Sequence, residues 1–461
     1  MALITSISGI RGTIGGKQGN GLSPFDIVKY TTAYGTWFLQ QNYPNKKVVI
    51  GRDGRISGEL VQNIVVSTLN AMGIDVIDVG LSTTPTVEMA VVFEAASGGI
   101  ILTASHNPKE WNALKLLNNA GEFLDAANVQ KVLDFALFQN EVEFETVDKL
   151  GSYTKNTTAL QQHINAILNY PLVDVAAIAN KKFKIVVDAI NSSGAFAVPE
   201  LLKALGVENI VVLNGEITGN FAHNPEPLPQ HLTGLCQEVD RQKADLGIAV
   251  DPDVDRLCFV TEDGLLFGEE YTLVAVADYV LKHKKGNTVS NMSSTRALRD
   301  VTEKAGGIYT PSAVGEVNVV NKMKATNAVI GGEGNGGIIV PDLHYGRDAL
   351  IGIALFLSHL AKENKTARQL RNTYPDYFIS KNKIDLTAGF NIDKIFTHIK
   401  SKYKNNPINT EDGLKIEFEN DWVHLRTSNT EPIIRIYSES NFSTTADNIA
   451  RRMMQDISEA L

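Results

Sequence analysis

The sequence predicts an α/β protein built as several domains, and three observations carry that prediction. First, short apolar runs recur that end in a charged residue: Lys47-Val-Val-Ile-Gly-Arg-Asp53, Lys184-Ile-Val-Val-Asp188, Leu246-Gly-Ile-Ala-Val-Asp251 and Ala328-Val-Ile-Gly-Gly-Glu333. Such runs read as strands buried on both faces that deliver polar groups to one edge of a sheet. Second, segments with helical spacing lie between them, and β-α-β alternation implies a parallel or mixed sheet with helices on its faces. Third, 461 residues exceed one hydrophobic core and fit about three or four domains.

Taken in order, the chain opens with Ser6-Ile-Ser-Gly-Ile-Arg-Gly-Thr-Ile-Gly15, a glycine-rich segment with one cation, Arg11. Glycines let backbone approach an anion, and one guanidinium can fork two phosphate oxygens. Ser23-Pro24 then starts a helix, serine as cap and proline in the first turn, reaching about Gln41. A strand ending in Gly51-Arg-Asp-Gly-Arg55, a helix from about Ser57 to Met72 and a strand from Asp75 to Val79 follow.

Gly98-Gly-Ile-Ile-Leu-Thr-Ala-Ser-His-Asn-Pro108 is the stretch that organises the rest. Its Ile-Ile-Leu run is a buried strand, and Asn107-Pro108 cannot continue it, so Ser105 and His106 fall on a turn at the strand's carboxyl end. In an open α/β sheet that edge is where ligands bind. The Ser105 hydroxyl there can be a nucleophile, a phosphate carrier or a turn former. Lys115 follows ten residues later on Trp111-Asn-Ala-Leu-Lys115.

Charged, irregular residues from Glu141 to Lys155 mark a first boundary. A second unit has a helix at about Thr158 to Leu168, the strand ending at Asp188, and the proline-rich loop Phe221-Ala-His-Asn-Pro-Glu-Pro227, whose His223 could touch a ligand. Asp251-Pro-Asp-Val-Asp-Arg256 sets three carboxylates at i, i+2 and i+4, which can converge on one hard cation. An EF-hand would also use Asp251, Asp253, Asp255 and Glu262. However, its sixth position is Arg256 rather than glycine, and both flanks read as strands. Three carboxylates without His or Cys suit Mg²⁺ better than zinc.

The third unit carries a helix near Glu269 to Lys282, the segment Thr310-Pro-Ser-Ala-Val-Gly315, and Gly331-Gly-Glu-Gly-Asn-Gly-Gly337 at a strand end. The glycines would leave Glu333 and Asn335 uncovered, which suits vicinal hydroxyls of a sugar. The spacing is not a nucleotide fingerprint, since it lacks a P-loop lysine. The last unit has a helix from Ile392 to Lys402 and a strand up to Leu425. Arg426-Thr-Ser-Asn-Thr-Glu-Pro432 and Arg435 then offer cations, hydroxyls and turn amides for a phosphate.

Composition narrows the partners. The chain is 43% hydrophobic and 21% charged, as soluble globular proteins are, with net charge −9. That balance argues against nucleic acid or an anionic membrane as partner. Cys236 and Cys258 make no disulfide framework and read as small core residues. The start Met1-Ala-Leu-Ile-Thr-Ser lacks a basic segment and a long apolar core, so a cytoplasmic protein is expected.

Over essentially its whole length the chain resembles the α-D-phosphohexomutases. Thr103-Ala-Ser-His-Asn-Pro108 resembles their phosphoserine loop, Asp251-Pro-Asp-Val-Asp-Arg256 their magnesium loop, Gly332-Glu-Gly-Asn-Gly336 their sugar-recognition loop and Arg426-Thr-Ser-Asn-Thr-Glu-Pro432 their phosphate loop. The resemblance implies three similar mixed-sheet α/β domains, 1–153, 154–258 and 259–371, and a C-terminal α+β domain, 372–461, around a central cleft.

It further implies that phospho-Ser105 exchanges its phosphoryl group with a hexose monophosphate through a hexose 1,6-bisphosphate, which serves as intermediate and activator. Ser105, Asp251, Asp253 and Asp255 would hold Mg²⁺. Arg11, Arg256 and Lys115 would surround the phosphoryl group, with Lys115 or His106 moving a proton. Glu333, Asn335, Thr310, Val314, Gly315 and His223 are the expected substrate-binding set, and Arg426, Ser428, Asn429, Thr430 and Arg435 the phosphate-binding set. A monomer or homodimer acting on small sugar phosphates is expected.

The chain departs from many members at Asn335 and Gly337, which replace Ser and a final His, and at Ala113, which replaces Gly. Its sugar loop is similar to that of amino-sugar and archaeal-type broad-specificity mutases. Glucosamine 6-phosphate is therefore the expected substrate, with mannose or glucose phosphate as runner-up. A Mg²⁺-dependent sugar phosphatase and a non-catalytic sugar-phosphate sensor are the alternatives from other classes.

Overall fold

The computed structural model describes residues 1–7, 9–137, 142–386, 391–427 and 433–460. Four sheets follow one another along the chain. The first contains β1 (Leu3–Ser6), β2 (Gly9–Thr13), β3 (Lys47–Arg52), β4 (Asp75–Leu81), β5 (Gly98–Leu102), β6 (Trp111–Leu117) and β7 (Tyr153–Lys155), in the order β1-β2-β6-β5-β3-β4-β7. Strands β3, β4, β5 and β7 run parallel, whereas β6 returns antiparallel to β5, and β2 antiparallel to β6. The sheet is therefore mixed, as the β-α-β alternation predicts. Apolar clusters cover both of its faces, which is why the strands read as unbroken apolar runs.

Helix Pro24–Leu39 forms where Ser23-Pro24 predicts it. The Ser23 side chain accepts from the Asp26 amide and the Asp26 side chain answers at the cap, a capping box that fixes the start.

The second sheet, in the order β11-β10-β8-β9, comprises β8 (Lys184–Asp188), β9 (Asn209–Leu213), β10 (Leu246–Val250) and β11 (Leu257–Thr261). Strands β10 and β11 form an antiparallel pair closed by Val250 opposite Leu257, so residues 251–256 are its connecting loop. Strands on both sides exclude the EF-hand. The third sheet, β13-β12-β14-β15, uses β12 (Asn287–Asn291), β13 (Tyr309–Ser312), β14 (Ala328–Glu333) and β15 (Gly337–Ile339). Its second and third units share one core, running from Ile164 to Tyr374 and including the buried helix Ala349–Glu363.

The fourth sheet is wholly antiparallel, β16-β20-β19-β18-β17, from β16 (Phe378–Asp385), β17 (Ile408–Asn409), β18 (Leu414–Glu417), β19 (Trp422–Thr427) and β20 (Ile433–Ser440). Helices Ile392–Lys402 and Ser443–Ala460 pack on it around a separate core, an α+β arrangement.

Two expected boundaries fall inside strands. Position 153/154 cuts β7, which completes the first sheet, and 258/259 cuts β11, which completes the second. Edge strands contributed after a loop carry little local signal of which sheet they join. Among the described residues no helix is long and apolar enough to cross a membrane.

Candidate active site

The turn after β5 is held by a residue from another strand end. Arg55 is buried, with its Nε 3.0 Å from Asp53 Oδ2. Its Nη1 donates to the carbonyls of Pro108 at 2.7 Å and Trp111 at 2.9 Å. Its Nη2 donates to those of Ser105 and of Asn107, the latter at 2.7 Å. One planar guanidinium thus fixes four carbonyls of the loop, a task suited to its rigid fork of donors. Thr103 Oγ1 donates to Asp53 Oδ2 at 2.6 Å and accepts from the Ser105 amide at 2.9 Å.

Held this way, Ser105 adopts φ +48°, in the left-handed region. A non-glycine residue there costs roughly 1–3 kcal/mol, and such strain collects at functional sites. The side chain is aimed across the sheet edge, where Ser105 Oγ donates to Asp251 Oδ2 at 2.7 Å.

The loop between β10 and β11 meets it. Asp251 Oδ1 accepts from the amides of Asp255 and Arg256, both at 3.1 Å, curling the loop. At its centre Val254 has φ +61°, a genuine outlier for a β-branched residue. The curl brings one carboxylate oxygen from each of Asp251, Asp253 and Asp255 within 4.8 Å of one another. Asp253 Oδ1 and Asp255 Oδ1 are buried without hydrogen-bond partners among the described residues.

Buried, orphaned carboxylate oxygens are costly unless something positive joins them. A donor set made of oxygen alone fits a hard divalent cation of the Mg²⁺ or Ca²⁺ kind. Burial and the repulsion of Asp255 and Asp253 raise the Asp251 pKa well above the usual carboxylate range. Burial opposes the charge of Asp253, but Lys115 overcomes that and holds its pKa low.

Sheet register supplies the cations. Lys115 lies opposite Ile101, and Arg11 lies opposite Ala113. Alternation along β6 then puts Arg11 and Lys115 on one face. Lys115 Nζ is 2.8 Å from Asp253 Oδ2 and 3.6 Å from Asp255 Oδ2. Burial works against its charge, yet Asp253 and Asp255 raise its pKa, so it stays protonated. Thr84, at the start of helix Thr84–Phe93, donates through Oγ1 to Asp253 Oδ2 at 2.6 Å and through its amide to the Asp253 carbonyl at 2.8 Å. Arg11 Nη1 reaches Asn107 Oδ1 at 3.1 Å, and Arg256 Nη1 reaches Glu226 Oε1 at 2.8 Å. His106 Nδ1 lies 3.4 Å from Ser105 Oγ. Burial, reinforced by Arg256 and Arg11, drops the His106 pKa well below the usual range and keeps it neutral.

Strands β14 and β15 close with Glu333 opposite Gly337, leaving residues 334–336 as a tight loop. Glu333 Oε1 accepts from Asn291 Nδ2 at 2.8 Å and from the Gly315 amide at 3.0 Å. Val314 donates its amide to Asp412 Oδ2 at 2.9 Å, which ties the fourth unit to the third.

A cleft of about 550 Å³ runs between these groups. It is lined by the expected Ser105, His106, Lys115, Arg11, Arg256, Glu333, Asn335, Val314, Gly315, Arg426 and Arg435. Thr310 and His223 do not line it. Thr310 sits within β13 opposite Val289, and His223 Nε2 turns 2.9 Å from Asp188 Oδ2. A loop histidine beside a strand-end aspartate satisfies itself locally, which the sequence spacing does not reveal. Ser428, Asn429 and Thr430 lie outside the described residues.

The sequence reading missed Arg55, Thr84, Glu316 and Arg347. Arg55 stood in a charged strand end, Gly51-Arg-Asp-Gly-Arg55, while Arg347 had no local pattern at all.

Known proteins resemble the chain over nearly its whole length. Models of the phosphoglucomutase/phosphomannomutase alpha/beta/alpha domains I, II and III match residues 3–141, 161–264 and 268–377, and the model of the C-terminal domain matches 385–455. A phosphoglucomutase/phosphomannomutase of Thermococcus kodakarensis is 34% identical over 98% of both chains. A phosphoglucosamine/phosphogalactosamine mutase of Sulfurisphaera tokodaii is 31% identical over 98% of both. The crystal structure of a phosphoglucomutase/phosphomannomutase family protein from Burkholderia thailandensis superposes with TM-score 0.83 at 27% identity, covering 99% of this chain and 98% of that one. With four ordered domain matches and a relative 34% identical over 98% of both chains, the chain belongs to the phosphoglucomutase/phosphomannomutase family, the α-D-phosphohexomutases.

Proposed function

We propose that the protein interconverts hexose 6-phosphate and hexose 1-phosphate by way of phospho-Ser105 and a hexose 1,6-bisphosphate, with glucosamine phosphate as the preferred sugar. The observation that carries this reading is the strained Ser105, 2.7 Å from a carboxylate of a buried aspartate triad and open to a cleft with sugar- and anion-binding groups. In the transfer, the bond between phosphorus and Ser105 Oγ breaks as a sugar hydroxyl oxygen bonds to phosphorus, and the hydroxyl proton leaves to a base. His106, whose Nδ1 lies 3.4 Å from Ser105 Oγ, stands nearest to take that proton, although burial and the neighbouring arginines oppose its charged form. Protonated Lys115, with Arg11 and Arg256, faces the equatorial oxygens, where charge stabilisation is the larger part of the rate.

Asp251, Asp253 and Asp255 would hold Mg²⁺ beside the Ser105 phosphate. The ion would neutralise charge on the phosphoryl group. Glu333 and Asn335 would bind ring hydroxyls, and Arg426 and Arg435 the phosphate that is not transferred.

The glucosamine preference rests on the Glu333-Gly-Asn-Gly-Gly337 loop. A second reading, mannose or glucose phosphate, draws on the 34% identical phosphoglucomutase/phosphomannomutase. A coupled assay across the 6-phosphates of glucosamine, mannose and glucose, primed with a trace of bisphosphate, tests both. Ser105→Ala should lose the phosphate-sized mass adduct and, like wild type in EDTA, at least about a thousandfold in turnover. Steady release of inorganic phosphate would mean a phosphatase, and binding without turnover a sensor. Either result would replace the proposal.

A further inference from the structure

The cleft holds a cation that the serine loop, metal loop and sugar loop do not supply. Arg347 precedes helix Ala349–Glu363 and is buried. Its Nη2 lies 2.6 Å from Asp255 Oδ2, its Nη1 2.9 Å from Glu333 Oε2 and its Nε 3.0 Å from Glu316 Oε2. Its amide donates to Glu316 Oε1 at 3.2 Å. The three carboxylates come from three segments: the β10–β11 loop, the end of β14 and the first turn of helix Glu316–Thr326. The next residue fixes the arm's origin, because Asp348 caps its helix through the amides of Leu350 at 2.8 Å and Ile351 at 3.3 Å.

Room for this arm depends on one missing side chain. A Cβ on Gly337 would stand 2.4 Å from Arg347 Cδ and 3.1 Å from Cγ. Those are mid-chain atoms of an arm anchored at both ends, so they cannot swing aside as a free tip would. Gly337 is not among the left-handed glycines, so its lack of a side chain serves space rather than backbone angle.

We infer that Arg347 is a positioning residue that locks the sugar loop's Glu333 to the metal loop's Asp255, and that Gly337 is bare to admit it. The inference rests on the proposed roles of those two loops. The guanidinium holds Glu333 Oε2 while Asn291 and Gly315 hold Oε1, and it also meets Asp255 Oδ2. Sugar binding and cation binding are therefore set by one group that touches neither ligand's reacting atoms.

The test compares wild type, Arg347→Met, Arg347→Lys and Gly337→Ala. Methionine keeps much of the aliphatic stem but has no donors. The alanine removes no polar group; its methyl displaces the arm but also stands 3.2 Å from Asn335 Oδ1, so its Mg²⁺ midpoint rather than its KM isolates the arm. Two readings are taken: the split of KM against kcat for the hexose phosphate, and the Mg²⁺ concentration that half-saturates the thermal shift with no sugar present. Arg347→Met should raise KM about tenfold or more, leave kcat the less affected, and move the Mg²⁺ midpoint at least about threefold. Gly337→Ala should move both in the same directions, and Arg347→Lys should fall between wild type and methionine.

A purely structural arginine would lower melting temperature and active fraction while leaving KM and the Mg²⁺ midpoint within twofold, and that result overturns the inference. If Arg347→Met does not fold, Gly337→Ala decides by the Mg²⁺ midpoint. Wild type without Mg²⁺-dependent mutase activity would instead sink the functional proposal.

Discussion

Arg55 shows how much of this site is set by single side chains. It is paired with Asp53 in a fully buried position and supplies donors to four loop carbonyls. Removing one partner of a buried pair leaves the other charge uncompensated, which costs about 3–5 kcal/mol. Arg55→Ala should therefore lower stability by that order in a denaturant melt, and should slow phosphorylation of Ser105 by added bisphosphate more than it raises KM. An unchanged melt would mean that water replaces the guanidinium and that the loop holds itself. The sequence made Ser105 legible because a turn residue follows its strand directly. It left Arg55 and Arg347 obscure because their partners are distant: Arg55 reaches carbonyls 50 to 56 residues away, and Arg347 reaches Asp255 across 92. Local pattern carries no record of such contacts.

Among the elements, hairpins do the presenting. The 251–256 and 334–336 loops each join antiparallel strands, so register fixes where each loop starts and ends. Glu333 lines the cleft, and the curl of the first loop gathers Asp251, Asp253 and Asp255. This was readable as apolar runs ending in charge, since a strand buried on both faces can expose polar groups only at its ends. The β19–β20 pair uses register differently. Arg426 stands directly opposite Arg435, and Arg426 Nε is 2.8 Å from Asp412 Oδ2. Like charges opposite each other across two strands are destabilising by roughly 0.2–1 kcal/mol. Their juxtaposition suits an anion bound between them. Arg435→Gln should raise KM for the monophosphate about tenfold, increase escape of the bisphosphate, and leave stability unchanged or slightly improved. If KM and leakage both stay at wild-type values, β20 plays no part in gripping phosphate. Thr310, by contrast, which the family resemblance puts among the substrate ligands, is a strand residue, and Pro311 beside it is tolerated because β13 is an edge strand.

At the scale of the whole molecule, the first three units are joined by a buried polar cluster beside the β10–β11 loop. His163 Nε2 is 2.9 Å from Asp348 Oδ2, and His163 Nδ1 is 3.0 Å from Thr86 Oγ1. His344 lies between Asp348, at 3.3 Å, and Glu88, at 3.4 Å. Burial opposes the charge of His344, but Asp348 and Glu88 raise its pKa to about 10. Burial pushes Glu88 up to about 8. Both folded values exceed the unfolded ones, so the folded state holds extra protons. The His344 contribution is complete below about pH 6.5 and is lost as pH rises through about 10.

Wild-type stability should accordingly fall from about pH 4.5, where the Glu88 contribution begins to be lost, to about pH 10, by up to about 1.4 kcal/mol per pH unit for each proton released. His344→Gln should flatten that slope in denaturant midpoints measured across the range, and an equally steep variant would assign the loss to other groups. The same long connections decide when the centre can come into being during synthesis. Ser105 leaves the ribosome well before Asp251, which accepts its hydroxyl, and Arg347 emerges later still. Until Arg347 follows, a nascent chain carries a complete serine loop facing an unfinished pocket. The centre therefore stays incomplete through most of the chain's own translation.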